Sequence, residues 1–463
     1  MENIKSNQSY DSFLASKAQI GNASGFSPVF MPDYLFDFQK YLVDWAIRQG
    51  RLAIFADCGL GKTPMQLVWA QNIVQHTNGN VLIITPLAVA AQTAAEAAKF
   101  GIEANVSRDG KITRGITITN YERLHYFDSS DFVGVVCDES SILKNFAGKY
   151  KAQITELMRR IPYRLLATAT AAPNDYTELG TSSEALGNLG YTDMLNQFFK
   201  NDENNSGTGR VYGKGRQWRF KGHSQVPFWR WMASWARAMR KPSDFGFDDS
   251  RFSLPPLTRR DHIVKARTLA DGFLFEMTAK GINEEREEQR RTVVERSEKA
   301  ASLAQTGKPA VIWCNLNTEG DLLEKMLPDF VQVKGKTNEA DMRKREEVFA
   351  AFAAGQIRGL IIKPKIGALG LNWQHCAHSI CFPTYSYEQL YQLERRFWRF
   401  GQTEEVVSDL VVTESIHHIK QSLDRKAKQA DIMFASLVEH MHQAMTIEGV
   451  KFTQTTEIPK WLS

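Results

Sequence analysis

Residues 56–63 read ADCGLGKT, directly after the short apolar run RLAIF (51–55) and before PMQLVWAQNIV (64–74), whose apolar residues recur at helical spacing. A phosphate-binding loop asks for Gly, four residues, then Gly-Lys-Ser/Thr. Ala56 takes the first place here, and Gly59, Gly61, Lys62 and Thr63 follow in register. Glycines let backbone N–H groups curl around phosphate oxygens, and the helix N-terminus adds a favourable dipole. A lysine reaches the β and γ phosphates, and a hydroxyl is offered to Mg²⁺. A strand handing over to a helix through these residues predicts a nucleoside triphosphate site with Mg²⁺.

Such a site needs an acidic pair at the end of a neighbouring apolar strand. FVGVVCDESS (132–141) supplies Asp138 and Glu139. Asp138 is expected to hold Mg²⁺ with Thr63, and Glu139 to orient and deprotonate the attacking water. Arg395, Arg396 and Arg399 in QLERRFWRFGQ (392–402) lie on a predicted helix, where Arg396 and Arg399 share a face. On the residues alone they are either cations for a γ phosphate or the basic rim of a packed helix.

Short β-rich runs alternate with helical patterns twice along the chain, which predicts two parallel α/β lobes. The first series is LAIFA, NVLIITP, GITITN, FVGVVCDE and YRLLATAT; the second is PAVIWCN, FVQVKG, GLIIKP, HSICFP and VSDLVVTE. Residues 1–30 read as a flexible arm, 31–255 as the first lobe with an insertion at 181–255, and 256–463 as the second lobe with C-terminal helices. The chain has 463 residues, 43% hydrophobic and 24% charged, with a net charge of +5. This is the composition of an ordinary soluble protein whose mild basicity permits a polyanionic partner. No apolar stretch is long enough to span a bilayer, so no membrane role is expected. Five cysteines scattered through predicted strands suit reduced thiols in the cytoplasm.

From Lys200 to Lys241 ten Lys or Arg face two acids, with four tryptophans interleaved. The Gly-rich part, Gly207 to Lys221, with Lys214, Arg216 and Arg219, suits nucleic acid. FWRWMASWARAM (228–239) has helical apolar spacing, so its tryptophans are expected to pack on the first lobe. No hairpin wedge is apparent in the sequence. HCAHSIC (375–381) carries zinc-ligand residue types, but as a strand it splits them between two faces.

Taken in order, Gln39, DCGLGKT, ITPLAV, TNYERL, CDESSILKN, ATATAAPND, IKPKIGALGLNW and QLERRFWRFGQ resemble the superfamily-two helicases, and among them the Swi/Snf-type ATPases. The resemblance runs from about Leu35 to Val412. It implies two RecA-like lobes in tandem, a minimal bacterial or phage motor in the cytoplasm of its cell, and ATP in the cleft. It further implies that Gln39 reads adenine, that Gly59, Leu60, Gly61, Lys62, Thr63, Pro64, Asp138 and Gly370 form the nucleotide site, and that Arg396 and Arg399 are arginine fingers. Phosphate contacts are implied at Thr85, Pro86, Asn120, Tyr121, Gly335, Lys336 and Lys365, and nucleotide coupling at Thr168 and Thr170. Ser141 departs from the His or Asp usual in that family's acidic box. The expected activity is a monomeric, DNA-stimulated ATPase translocating on duplex or branched DNA. The alternatives are a strand-separating helicase, or a non-motor adaptor for a nuclease, recombination or replication partner.

Overall fold

Continuous apolar runs such as VLIIT become strands buried on both faces, the condition of a parallel sheet covered by helices. In this computed structural model, residues 23–452 are described except 87–88, 145–147, 172–175, 202–217, 267–281, 336–338, 368–371, 385 and 415–417. They form two units, the first holding the residues up to Asp249 and those from Ala430 on, the second Ser250–Gln429.

The first unit contains β1 (Arg51–Ala56), β2 (Val81–Thr85), β3 (Ala104–Val106), β4 (Ile116–Asn120), β5 (Gly134–Asp138), β6 (Tyr163–Ala167), β7 (Phe199–Asn201), β8 (Trp218–Phe220) and β9 (Ala236–Met239). Seven of these make one sheet in the order β3-β4-β2-β5-β6-β1-β9. Every pair in it is parallel. β7 and β8 stand apart as an antiparallel hairpin, although no hairpin is apparent in the sequence. Aromatic packing explains it: Phe199 stacks on Phe220 at 4.6 Å between ring centres, and Phe220 meets Phe228 at 5.1 Å.

The insertion tryptophans pack as expected. Trp229, Trp231 and Trp235 on the helix Gln225–Trp235 are buried in the core of this unit. Leu437 and Met441 of the helix His418–Phe452 are buried in the same core, and His440 stacks on Trp229 at 5.1 Å. The residues from 430 on therefore group with the first unit, which corrects the expectation that the C-terminal helices belong wholly to the second lobe.

The second unit contains β10 (Leu257–Val264), β11 (Ala310–Trp313), β12 (Phe330–Val333), β13 (Gly359–Ile362), β14 (His378–Cys381) and β15 (Val406–Thr413). Their order is β10-β15-β14-β11-β13-β12, again parallel throughout. The α/β class and the two parallel-sheet lobes expected from the sequence are what the chain forms. Among the described residues no helix is long and apolar enough to cross a membrane.

Candidate nucleotide site

β1 ends at Ala56, and the helix Lys62–Thr77 begins after a loop whose Gly59 and Gly61 have φ of +89° and +74°. Gly61 is favoured by its left-handed φ, and a Cβ there would also press on the Gln39 amide, which would have to move aside. Pro64 is tolerated because it sits in the first helical turn, where no intrahelical N–H is needed. The loop is tied down by Asp57 N–H donating to Met239 O at 2.9 Å and by Cys58 N–H donating to its neighbour's Asp57 Oδ1 at 2.7 Å. Lys62 Nζ lies over the loop, donating to Ala56 O at 3.0 Å and Asp57 O at 3.4 Å. Gln39 reaches the loop from the helix Asp37–Gln49, where its Nε2 donates to Leu60 O at 2.9 Å and its Oε1 accepts from Phe36 N at 3.0 Å.

Asp138 closes β5, two strands from β1 in the same sheet. Its carboxyl is pushed up to about 6, chiefly by burial and then by the charge of Glu139, against the Gln66 hydrogen bond and the charge of Lys62. Gln66 Nε2 donates to Asp138 Oδ1 at 2.6 Å, both groups being buried. The sequence reading missed Gln66, although it lies one helical turn after Lys62 and so shares its face. Glu139 follows with φ of +52°. Thr168, beyond the end of β6, donates through Oγ1 to Glu139 Oε2 at 3.4 Å and accepts from Thr170 N at 3.1 Å.

The residues expected on the nucleic-acid side divide. Thr85 is fully buried, its hydroxyl bonded to Pro86 O and Thr119 O at 3.2 and 3.3 Å, and Asn120 and Tyr121 are buried as well. The side chains of these three, expected near phosphate contacts made by backbone amides and hydroxyls, are thus turned to the interior. Arg219, Gly335 and Lys365 are exposed. Lys214, Arg216, Lys336 and Gly370 lie outside the described residues.

In the second unit the expected arginine helix stops early. The helix Tyr387–Glu394 gives way to turns that bury Phe397 against Trp313 and Trp373, so Arg396 and Arg399 lie beyond the helix and not along one of its faces. Arg396 is buried, with Nε donating to Gln392 O at 3.0 Å, while Arg399 is half-buried. Arg395 is held over Trp398 at 4.3 Å. Of the residues in HCAHSIC, His378 bonds Asp409 at 2.7 Å, and Cys376 Sγ reaches Pro309 O at 3.4 Å.

In one parallel α/β unit a glycine loop with its lysine follows β1, and an acidic pair, Asp138 buried and Glu139 half-buried, ends β5 two strands away, an arrangement suited to holding phosphate. No protein-family model matches the chain. Over 112 residues it is 34% identical to a protein described as "Putative helicase 172L" of Invertebrate iridescent virus 6, a match spanning 24% of this chain and 17% of that one. Among solved structures it is similar to the SWI2/SNF2 ATPase core of Sulfolobus solfataricus in complex with dsDNA, at 15% identity and a TM-score of 0.41, over 89% of this chain and 96% of that one.

Proposed function

We propose that the chain is a DNA-stimulated ATPase of the Swi/Snf type that moves along duplex DNA. The observation that carries this reading is the grouping of Lys62, Asp138, Glu139 and Thr168 around strand ends of one parallel sheet, with Lys62 close enough to bias the Asp138 carboxyl. Backbone N–H groups of Gly59, Leu60 and Gly61 would receive the phosphates, with Lys62 on the β and γ groups and Gln39 on adenine. The donor chemistry fits a hard divalent cation: a hydroxyl at Thr63, and at Asp138 a buried carboxylate that needs a cation to ionise comfortably. Mg²⁺, when bound by Thr63 and Asp138, offsets the phosphate charge. Glu139 would hold the attacking water and take its proton as the oxygen adds to the γ phosphorus and the bond to the leaving β–γ bridging oxygen breaks. Arg396 and Arg399 would stabilise the charge that develops.

DNA contact is assigned to the exposed Arg219, Gly335 and Lys365, together with Lys200. Lys200 faces Arg219 across the β7–β8 hairpin. Like charges opposite one another cost stability in a bare protein and are relieved by a polyanion. The antiparallel pair, with Lys200 and Arg219 exposed on it, also favours the second reading, strand separation, because a two-stranded element can act as a wedge.

The test compares ATP turnover with duplex, single-stranded, forked and RNA effectors across a salt series. Duplex DNA should stimulate at least as well as single strands, with stimulation falling as salt rises, and Lys62→Ala should abolish turnover. Stimulation confined to forks would select the second reading, and stimulation by RNA alone would overturn both.

A further inference from the structure

Glu139 is one of two non-glycine residues among those described with a positive φ; the other, Asn78, closes a helix, where asparagine is at ease. A glutamate in the left-handed region costs on the order of 1 kcal/mol or more and persists only where its surroundings over-determine it. Three contacts hold it. The Thr168 hydroxyl donates to its carboxylate at 3.4 Å, and its own carbonyl accepts from Ile142 N at 3.2 Å. The third acts on the peptide that joins it to Asp138: the Tyr121 hydroxyl donates to the Asp138 carbonyl oxygen.

Tyr121 lies immediately after β4, and its ring and hydroxyl are buried. Burial keeps its phenol well above the ordinary range, so it stays protonated and able to donate. The Cys137 thiol, likewise pushed up by burial to about 12, lies 3.3 Å from the phenol oxygen and can donate to it in turn. The chain thiol, phenol, carbonyl is thus complete in hydrogen-bond polarity. Rotating the 138–139 peptide changes the φ of Glu139, so whatever fixes that carbonyl fixes where the Glu139 carboxylate points.

We propose that Tyr121 is a positioning residue for Glu139: its hydroxyl holds the Asp138 carbonyl, sets the left-handed turn that presents the carboxylate, and ties the segment after β4 to the hydrolytic site. The inference rests on the reading of Glu139 as the group that takes the proton of the attacking water. It also gives the buried Tyr121 a role that direct contact with nucleic acid cannot.

Tyr121→Phe keeps the ring and removes only the hydroxyl. With saturating DNA its kcat should fall on the order of ten- to a hundredfold, the loss expected when a reacting group is misplaced. KM for ATP and affinity for a non-hydrolysable analogue should stay at wild-type values, while the melting temperature falls modestly because the buried Asp138 carbonyl loses its partner. A double-mutant cycle in single-turnover hydrolysis isolates the route: in a Glu139→Gln background, Tyr121→Phe should change the rate no further. Full activity in Tyr121→Phe, equal losses in both backgrounds, or a loss matched by weaker nucleotide binding each overturns the proposal. The wild type and Lys62→Ala are run alongside. A wild type that turns over no ATP, or a Lys62→Ala variant that does, overturns the functional reading and this inference with it; normal controls with an unaffected Tyr121→Phe overturn this inference alone.

Discussion

Gln66 shows how one amide conditions a carboxylate. Asp138 is buried beside Glu139, and burial is the larger of the two effects that push its carboxyl up to about 6. The Gln66 N–H, donated to Oδ1 at 2.6 Å, works the other way and favours the ionised form that a cation requires. Leucine has nearly the volume of glutamine but no donor, so Gln66→Leu removes the hydrogen bond and leaves the packing of the helix Lys62–Thr77 in place. Groups that orient metal ligands are worth ten- to a hundredfold in metal affinity. We therefore expect the Mg²⁺ concentration needed for tight binding of an ATP analogue to rise by about tenfold in Gln66→Leu. Binding in EDTA should be unchanged. Calorimetric titration with and without Mg²⁺ reads both quantities. Wild-type Mg²⁺ dependence in the variant would leave Gln66 with a packing role only.

Three neighbouring strands of the second unit are cross-linked by one acid. Asp409 on β15 receives His262 of β10 at 2.9 Å on one oxygen and His378 of β14 at 2.7 Å on the other. Burial pushes the Asp409 carboxyl up, but the hydrogen bonds and charges of the two histidines outweigh it and hold the group below its ordinary value. A depressed acid contributes stability that is fully present above its unfolded value, about 3.9, and is lost as pH falls through its folded value. Asp409→Asn should thus cost about 1.5–3 kcal/mol at neutral pH, the range for hydrogen bonds to a charged group. The gap from wild type in urea unfolding should hold down to about pH 4 and close below it. A gap independent of pH down to pH 2.5 would mean that packing, not the ionised carboxylate, joins the strands. Elements of this kind were readable in the sequence because their signals are local: apolar runs gave the strands, and fixed spacing gave the loop at 56–63. Contacts between distant segments carry no such signal. Nothing in TNYERL says that Tyr121 turns inward to Asp138, and nothing in the helix after His418 says that Met441 returns to the core of the first unit. The arginine helix was over-extended because its spacing persists to Arg399, while burial of Phe397 demands a turn after Glu394.

The chain divides its proposed chemistry between two units: Lys62 and Glu139 belong to the first, and Arg396 and Arg399 to the second. If ATP hydrolysis needs both, a lost arginine should spare the nucleotide binding proposed for the first unit. An arginine finger meets charge that develops in the transition state, so it contributes more to turnover than to ground-state binding. Arg399→Ala should accordingly bind an ATP analogue with near-normal affinity while its DNA-stimulated rate falls on the order of a thousandfold. Arg396→Ala should differ from it in stability. Arg396 is buried, its Nε bonded to Gln392 O at 3.0 Å. Truncating it leaves interior groups unpaired, so this variant should also melt at a lower temperature, which the half-buried Arg399 should not. Combining Arg399→Ala with Glu139→Gln should cost far less than the product of the two single losses, because both residues serve one transition state. Equilibrium binding, single-turnover hydrolysis and thermal unfolding, measured on each variant, separate these outcomes. Arg399→Ala turning over ATP at the wild-type rate in saturating DNA would confine hydrolysis to the first unit and leave Arg399 to packing.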